Sequence, residues 1–241
     1  MFSEFYYQYS SPRLLVVAAV IPALFLMYYI YRHDRIEKEP GRLLARLVLF
    51  GILSAVTAGL IEALFEYFVF PQIPFSSVTA EIIALATMVG LAEEGSKLFF
   101  LKRRTWKNPA FNYRFDGIVY AVFVSLGFAA IENVMYVMQY GLGVALTRAF
   151  LAVPAHFGFA VTMGTFYGRA KVCDVRRDGH MRRVNLALAY LLPVSMHAFY
   201  DATAMLNSDL ATNLFLAFVV ICYVLIYRRI KREAREDTLI A

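Results

Sequence analysis

Seven hydrophobic runs follow one another along the chain of 241 residues without a soluble insert between them. A helix that crosses a lipid bilayer needs about 20 mostly apolar residues, because the bilayer core offers no partners for backbone polar groups. Charged residues make up 17% of the chain, well below the roughly 25% of a soluble domain. The sequence therefore predicts an all-α polytopic membrane protein with about seven transmembrane helices, a single transmembrane domain over residues 1–241. The runs lie near residues 14–31, 43–65, 78–101, 116–139, 145–167, 184–206 and 211–227.

Positive charge predicts how these helices are oriented. Lysine and arginine are concentrated in the segments 32–46, 102–114, 169–183 and 228–235. The alternate connections, 66–77, 140–144 and 207–210, contain neither residue. Because positively charged loops remain in the cytoplasm, we expect the N-terminus outside and the C-terminus in the cytoplasm. The net charge of +6 then faces the anionic lipid of the bilayer, and it requires no nucleic-acid partner.

Four of the runs carry ionisable residues that a membrane helix normally excludes. A charge at the bilayer centre costs about 2.5–3.5 kcal/mol on insertion scales, so such residues indicate a polar cavity or a functional site. Carboxylate, imidazole and amine groups are suited to holding a metal ion and activating water. They lie in a motif-bearing core over about 78–206, in the segments LAEEGSKLF (Glu93, Glu94, Lys97), GFAAIEN (Glu132), VPAHFGF (His156) and MHAFYD (His197, Asp201).

Helical spacing predicts which of these groups act together. His197 and Asp201 are four residues apart, so they project from one face and can bind one ion or orient one another. Lys97 lies one turn after the Glu93–Glu94 pair, where it can neutralise one carboxylate and leave the other free to act on water. With a rise of 1.5 Å per residue, Glu94 comes roughly 12 Å from the cytoplasmic end of its helix and the histidines roughly 18–20 Å from theirs. A kink at Pro154 would bring the two levels closer.

In this order, the four segments resemble the EExxK, FxxxE, lone-histidine and HxxxD motifs of PrsW-type intramembrane proteases. That family is related to the CAAX-prenyl endopeptidases and to bacteriocin-processing membrane enzymes. DGIVYA at residues 116–121 and Arg148 also resemble it. The resemblance implies a multi-pass protease of the bacterial plasma membrane, classed as a metalloprotease, whose substrate is a membrane-anchored protein such as an anti-sigma factor.

The residue types and the resemblance together suggest a division of labour. Glu132, His156 and His197 are the predicted ligands of a divalent ion, most plausibly zinc, and Asp201 is a fourth ligand or a partner of one. Glu93 is the predicted general base that takes a proton from water. Glu94 orients that base, and Lys97 balances the charge. In the metal-free alternative, a glutamate and His156 activate water while His197 and Asp201 stabilise the oxyanion.

Other classes and other polar residues stay open at this point. A proton-coupled transporter also uses intramembrane Glu, His and Asp, although it would more often show inverted repeats. A catalytically inactive scaffold with the same fold is a third possibility. Asn133 and Arg148 are equally compatible with structural and functional roles. Glu62, Glu66 and Glu81, at the predicted outer ends of the second and third helices, are expected to form a solvated rim, and the alternative is that they line a substrate entrance.

The predicted topology places residues 102–115 and 168–183 in the cytoplasm and residues 66–77 outside. We expect single cysteines introduced into 66–77 to react with a membrane-impermeant thiol reagent on intact cells, and those in the two basic segments to remain unlabelled. Labelling of Arg176→Cys from outside would contradict the seven-helix topology.

Overall fold

The computed structural model describes residues 12–240 as a bundle of α-helices. The N-terminus, predicted to lie outside the cell, and Ala241 fall outside this range. In the described part, an isolated bridge between Tyr113 and Leu239 is the only strand-like pairing, so the all-α prediction is confirmed. The helices are α1 (Pro12–His33), α2 (Gly41–Phe68), α3 (Val78–Thr105), α4 (Asp116–Tyr140), α5 (Leu142–Phe150), α6 (Ala152–Val175), α7 (Gly179–Met205) and α8 (Asp209–Arg235), with a short 3₁₀ turn at Phe70–Gln72.

The described helices identify a multi-pass membrane protein. Five segments are long and apolar enough to cross a membrane: Pro12–His33, Gly41–Gln72, Asp116–Tyr140, Leu142–Val175 and Asp209–Arg235. Helices α3 and α7 have comparable lengths of 28 and 27 residues. They are less hydropathic because they carry the Glu93–Lys97 and His197–Asp201 motifs.

A ring of five helices surrounds the motif residues. Helix α4 packs against α1, α2 and α6, while α3 packs against α2 and α7, and α6 packs against α7. Helices α2, α3, α7, α6 and α4 are therefore successive neighbours around a closed ring. Helix α1 lies outside the ring against α4, and α8 lies against α6 and α7. All of the ionisable motif residues are on four helices of this ring.

Glycines allow the ring helices to approach one another closely. A Cβ atom on Gly164 of α6 would lie 2.4 Å from the Cα atom of Ile118 on α4. A Cβ atom on Gly127 of α4 would lie 2.4 Å from the carbonyl oxygen of Val48 on α2. Small residues permit such backbone contacts in membranes, where association depends on packing. These crossings hold α2 and α6 against opposite sides of α4.

The run predicted as one helix over 145–167 is two helices, with a break at Leu151. Pro154 has no backbone N–H, so it cannot donate to the carbonyl of Phe150 as a continuous helix would require. The Tyr223 hydroxyl of α8 donates to this carbonyl instead. The break starts α6 at Ala152, so that His156 lies near the beginning of a new helix.

Hydrogen bonds between buried polar groups join the segments that connect the helices at the basic end of the bundle. The Tyr120 hydroxyl of α4 donates to Glu39, just before α2, over 2.6 Å, and the backbone N–H of Phe115 donates to Asp237 over 2.8 Å. Burial raises the pKa of Glu39 to about 7 and that of Asp34 to about 6. Protonation near neutral pH reduces the repulsion that these buried carboxyls would otherwise exert on one another.

The α4–α6 crossing should be intolerant of even one added methyl group. We expect Gly164→Ala to lower the free energy of unfolding by about 1–3 kcal/mol, because the new Cβ would collide with backbone atoms that cannot move independently. Gly59→Ala is the matched control, since nothing lies within 4 Å of a Cβ at that position. Thermal unfolding of both variants in the same detergent is the measurement, and equal melting temperatures would contradict the crossing.

Candidate active site

Lys97 lies at the centre of the buried motif residues, and its side chain is fully inaccessible to solvent. Its Nζ atom donates to Glu93 Oε2 over 3.0 Å and to Glu94 Oε1 over 2.7 Å. It also lies 3.1 Å from Nδ1 of His156 on α6 and 3.9 Å from the centre of the Phe128 ring on α4. The predicted pairing of Lys97 with the adjacent glutamates is present, and the lysine also connects α3 with α6.

His197 of α7 joins the same cluster from the opposite side. Its Nδ1 atom lies 3.1 Å from Glu94 Oε1, and its Nε2 atom lies 3.3 Å from Asp201 Oδ2 and 3.9 Å from Glu93 Oε2. The i,i+4 contact between His197 and Asp201 is therefore present as predicted from the spacing. The Phe159 ring stacks on the His197 imidazole with centroids 5.0 Å apart, which restricts rotation of the ring.

Glu132 of α4 contacts the other histidine rather than the glutamate pair. Its Oε2 atom lies 2.9 Å from His156 Nε2 and 2.9 Å from Nη2 of Arg148 on α5. His156 thus has Glu132 at one ring nitrogen and Lys97 at the other. Each of the two buried histidines consequently has one carboxylate outside the central cluster, Glu132 for His156 and Asp201 for His197.

Four side chains from three helices meet the geometric requirement of a metal site. One candidate ligand atom from each of Glu93, Glu94, His156 and His197 lies within 4.8 Å of the others, and all four residues are buried. The Oε2 atom of Glu94 is buried without a hydrogen-bond partner. Two carboxylates with a single lysine leave a net negative charge here. Mixed carboxylate and imidazole ligands suit a transition metal such as zinc, so the residues fit a divalent cation.

A cavity of about 480 Å³ adjoins this cluster and is enclosed by α2, α3, α4, α5, α6 and α7. Glu93 lines the cavity, whereas Glu94 and Lys97 do not. Side-chain exposure increases from Lys97 and Glu94, both 0%, to 18% for Glu132 and 24% for Asp201. The acidic, histidine and arginine residues that line the cavity are Glu62, Glu66, Glu93, Glu132, Arg148, His156, His197 and Asp201.

The structure changes the sequence-based expectations for the depth of Glu94 and for the position of Glu62. Glu94 and His197, predicted at different depths, are in contact, partly because α3 continues to Thr105 and Glu94 then lies about 16 Å from its end. Glu62 and Glu66 both line the cavity, as in the alternative to a solvated rim. Glu66 is exposed, whereas Glu62 Oε1 is buried without a partner. Their positions three and seven residues after Gly59 on one face of α2 are the sequence signal that could have revealed this.

A family model described as the PrsW family intramembrane metalloprotease matches residues 39–228, a range that contains every motif residue. The chain belongs to the PrsW family. Its members are intramembrane proteases, so the resemblance carried by the four motifs is confirmed, and the transporter alternative is not supported. No solved structure matches the chain.

Bacterial proteins named Protease PrsW are similar over most of their length. That of Oceanobacillus iheyensis is 32% identical and aligns over 94% of this chain and 98% of its own. The protein of Clostridioides difficile is 33% identical over 87% of each chain. That of Geobacillus kaustophilus is 34% identical over 78% of each. The alignments thus cover between 78% and 98% of the length of these relatives.

Lys97 should be essential to the folded state. We expect Lys97→Met to destabilise the protein by about 3–5 kcal/mol, because two buried carboxylates would lose their shared cation. Lys102→Met is the control, since this lysine is exposed on the same helix. Thermal unfolding in detergent gives the comparison. A similar melting temperature for both variants would mean that the glutamates do not depend on Lys97.

Proposed function

We propose that this chain is a bacterial plasma-membrane protease with seven transmembrane helices that hydrolyses a peptide bond in a membrane-anchored protein. An anti-sigma factor cut at the first of its successive cleavage sites is the proposed substrate type. The observation that supports this proposal best is the convergence of Glu93, Glu94, His156 and His197 within 4.8 Å beside a cavity. The bacterial origin of the similar proteins supports the location.

Glu93 is the proposed general base. It lines the cavity and so can meet water and substrate, whereas Glu94 is fully enclosed. Lys97 holds both carboxylates in place and offsets the charge of one of them. After water attacks the scissile carbonyl, Glu93 returns the proton to the leaving amine, so that the base of the first step is the acid of the second.

The contacts favour Glu94, His156 and His197 as ligands of a divalent ion, most simply zinc. Such an ion would lower the pKa of water and polarise the scissile carbonyl. Glu132 and Asp201, predicted as ligands from the sequence, each contact the far nitrogen of a histidine that faces the cluster. Carboxylates in that position orient the imidazole ligands of metal sites. The zinc content of the variants Glu94→Gln and Glu132→Gln would distinguish the ligand set suggested by these contacts from the set predicted from the sequence.

Lys97 supports a second, metal-free mechanism of the same protease. Its Nζ atom already supplies a cation within 3.1 Å of Glu93, Glu94 and His156. In this version a glutamate and His156 activate water, while His197 and Asp201 stabilise the oxyanion. Full activity of purified protein that contains no metal would establish this mechanism in place of the first.

Substitution of the proposed base and substitution of a proposed metal ligand should have different effects. We expect Glu93→Gln to reduce cleavage of a membrane-anchored test substrate by at least ~10²-fold while zinc content and melting temperature are retained. His197→Ala should lose zinc together with activity, because fewer than three ligands remain. Glu81→Gln, an exposed position on the same helix as Glu93, should behave as the wild type.

Two results would change these assignments. Loss of zinc in Glu93→Gln, with zinc retained in Glu94→Gln, would exchange the roles of the two residues, so that Glu93 is a ligand and Glu94 the base. Unchanged cleavage in both Glu93→Gln and Glu94→Gln would reject the proteolytic mechanism.

A further inference from the structure

Arg148 of α5 makes three contacts with one turn of α4. Its Nη2 atom lies 2.9 Å from Glu132 Oε2, an ion-pair distance at which the N–H is not aligned for a hydrogen bond. Its Nε atom donates to Asn133 Oδ1 over 2.8 Å. The guanidinium group also lies 3.9 Å above the centre of the Tyr136 ring. A planar group with several donors can make these contacts together, whereas a lysine ammonium cannot.

Asn133 is itself fixed from the other side. It is fully buried, and its Nδ2 atom donates to the backbone carbonyl of Ala19 on α1 over 2.7 Å. Because Asn133 is anchored to α1, the position of Arg148 is determined by the bundle and not only by its own short helix. The side chain of Arg148 is 13% exposed, so it lies within the protein and does not extend to the membrane surface.

Glu132, which Arg148 contacts, determines the tautomer of His156. A carboxylate only accepts hydrogen bonds, so Glu132 at 2.9 Å from His156 Nε2 favours the tautomer with the proton on Nε2. The lone pair of the neutral imidazole is then on Nδ1, which faces Lys97 Nζ at 3.1 Å. Whether the nitrogen that faces the cluster carries a lone pair or a proton is thus determined by the group at the opposite nitrogen.

We propose that Arg148 is a positioning residue, which holds the Glu132 carboxylate so that His156 keeps its Nδ1 lone pair directed at the Glu93–Glu94–Lys97 cluster. Glu132 is 18% exposed on the cavity side, so without Arg148 its carboxylate could turn toward water in the cavity. His156 would then lose the acceptor that selects its tautomer. The catalytic consequence rests on the proposed function, whereas the tautomer does not.

Kinetics test the catalytic part. With the membrane-anchored test substrate, we expect Arg148→Met to lower kcat by about 10–100-fold, as loss of a residue that orients a ligand does, with KM changed less than about twofold. Arg148→Lys should recover part of kcat, because it restores a cation beside Glu132 without the contact to Asn133. Arg169→Met is the matched control. It removes another arginine–glutamate pair, Arg169–Glu233 at 3.1 Å, away from the cavity, and should leave kcat unchanged.

Nitrogen-15 NMR of histidine-labelled protein tests the structural part. The chain contains 4 histidines, so the spectrum is sparse, and His156→Gln assigns the signals of His156. We expect the wild type to carry the His156 proton on Nε2, whether or not a metal ion occupies Nδ1. Arg148→Met should show a mixture of tautomers, and Arg169→Met should match the wild type.

Each result has a definite reading. A wild-type proton on Nδ1, or a His156 signal unchanged in Arg148→Met, would overturn the proposal. So would a lowered melting temperature with unaltered kcat, which would make Arg148 a packing residue. Absence of cleavage by the wild type, together with the expected NMR change, would count against the proposed function and leave the positioning of His156 supported.

Discussion

Buried charges that can be satisfied only by one another determine how this bundle assembles. Lys97 and Glu94 are inaccessible to water and Glu93 meets it only at the cavity, so the ammonium and carboxylate groups must lie against one another and against the histidines of α6 and α7. Removing one partner of such a buried pair is costly, because the other charge is left uncompensated. If α3, α6 or α7 slid by one turn, it would leave an unpaired charge, so the polar cluster selects one relative position for these helices among the many that apolar packing would allow.

The site therefore combines a closed interior with an open side. Lys97 and Glu94 are inaccessible, while Glu132 and Asp201 remain partly exposed toward the cavity. Hydrolysis within a membrane requires this combination, because water must reach the reacting carbonyl and the charged groups must keep fixed positions. The aromatic rings of Phe128 and Phe159 lie against Lys97 and His197, respectively, and restrict the movement of these side chains.

Much of this arrangement could be predicted from the sequence. Hydropathy located the helices to within a few residues at most ends, and helical spacing paired Lys97 with the glutamates and His197 with Asp201. The break at Leu151 could not be located, because Pro154 suits either a kink or a new helix. The partners of Glu132 depend on how the helices rotate about their axes. That rotation is set by close contacts such as Gly164 against Ile118, which no single helix encodes.

The burial of α4 has a consequence for biogenesis. In the most apolar stretch of α4, 72% of the residues are buried, compared with 11% in α8. The neighbours of α4 include α2, which is synthesised before it, and α6, which is synthesised after it. When α4 has been synthesised, the face that will meet Gly164 therefore still lacks its partner helix. The cluster of motif residues can form only after α6 and α7 have been inserted, so a partially synthesised chain carries Glu93 and Glu94 without the two histidines that complete the cluster.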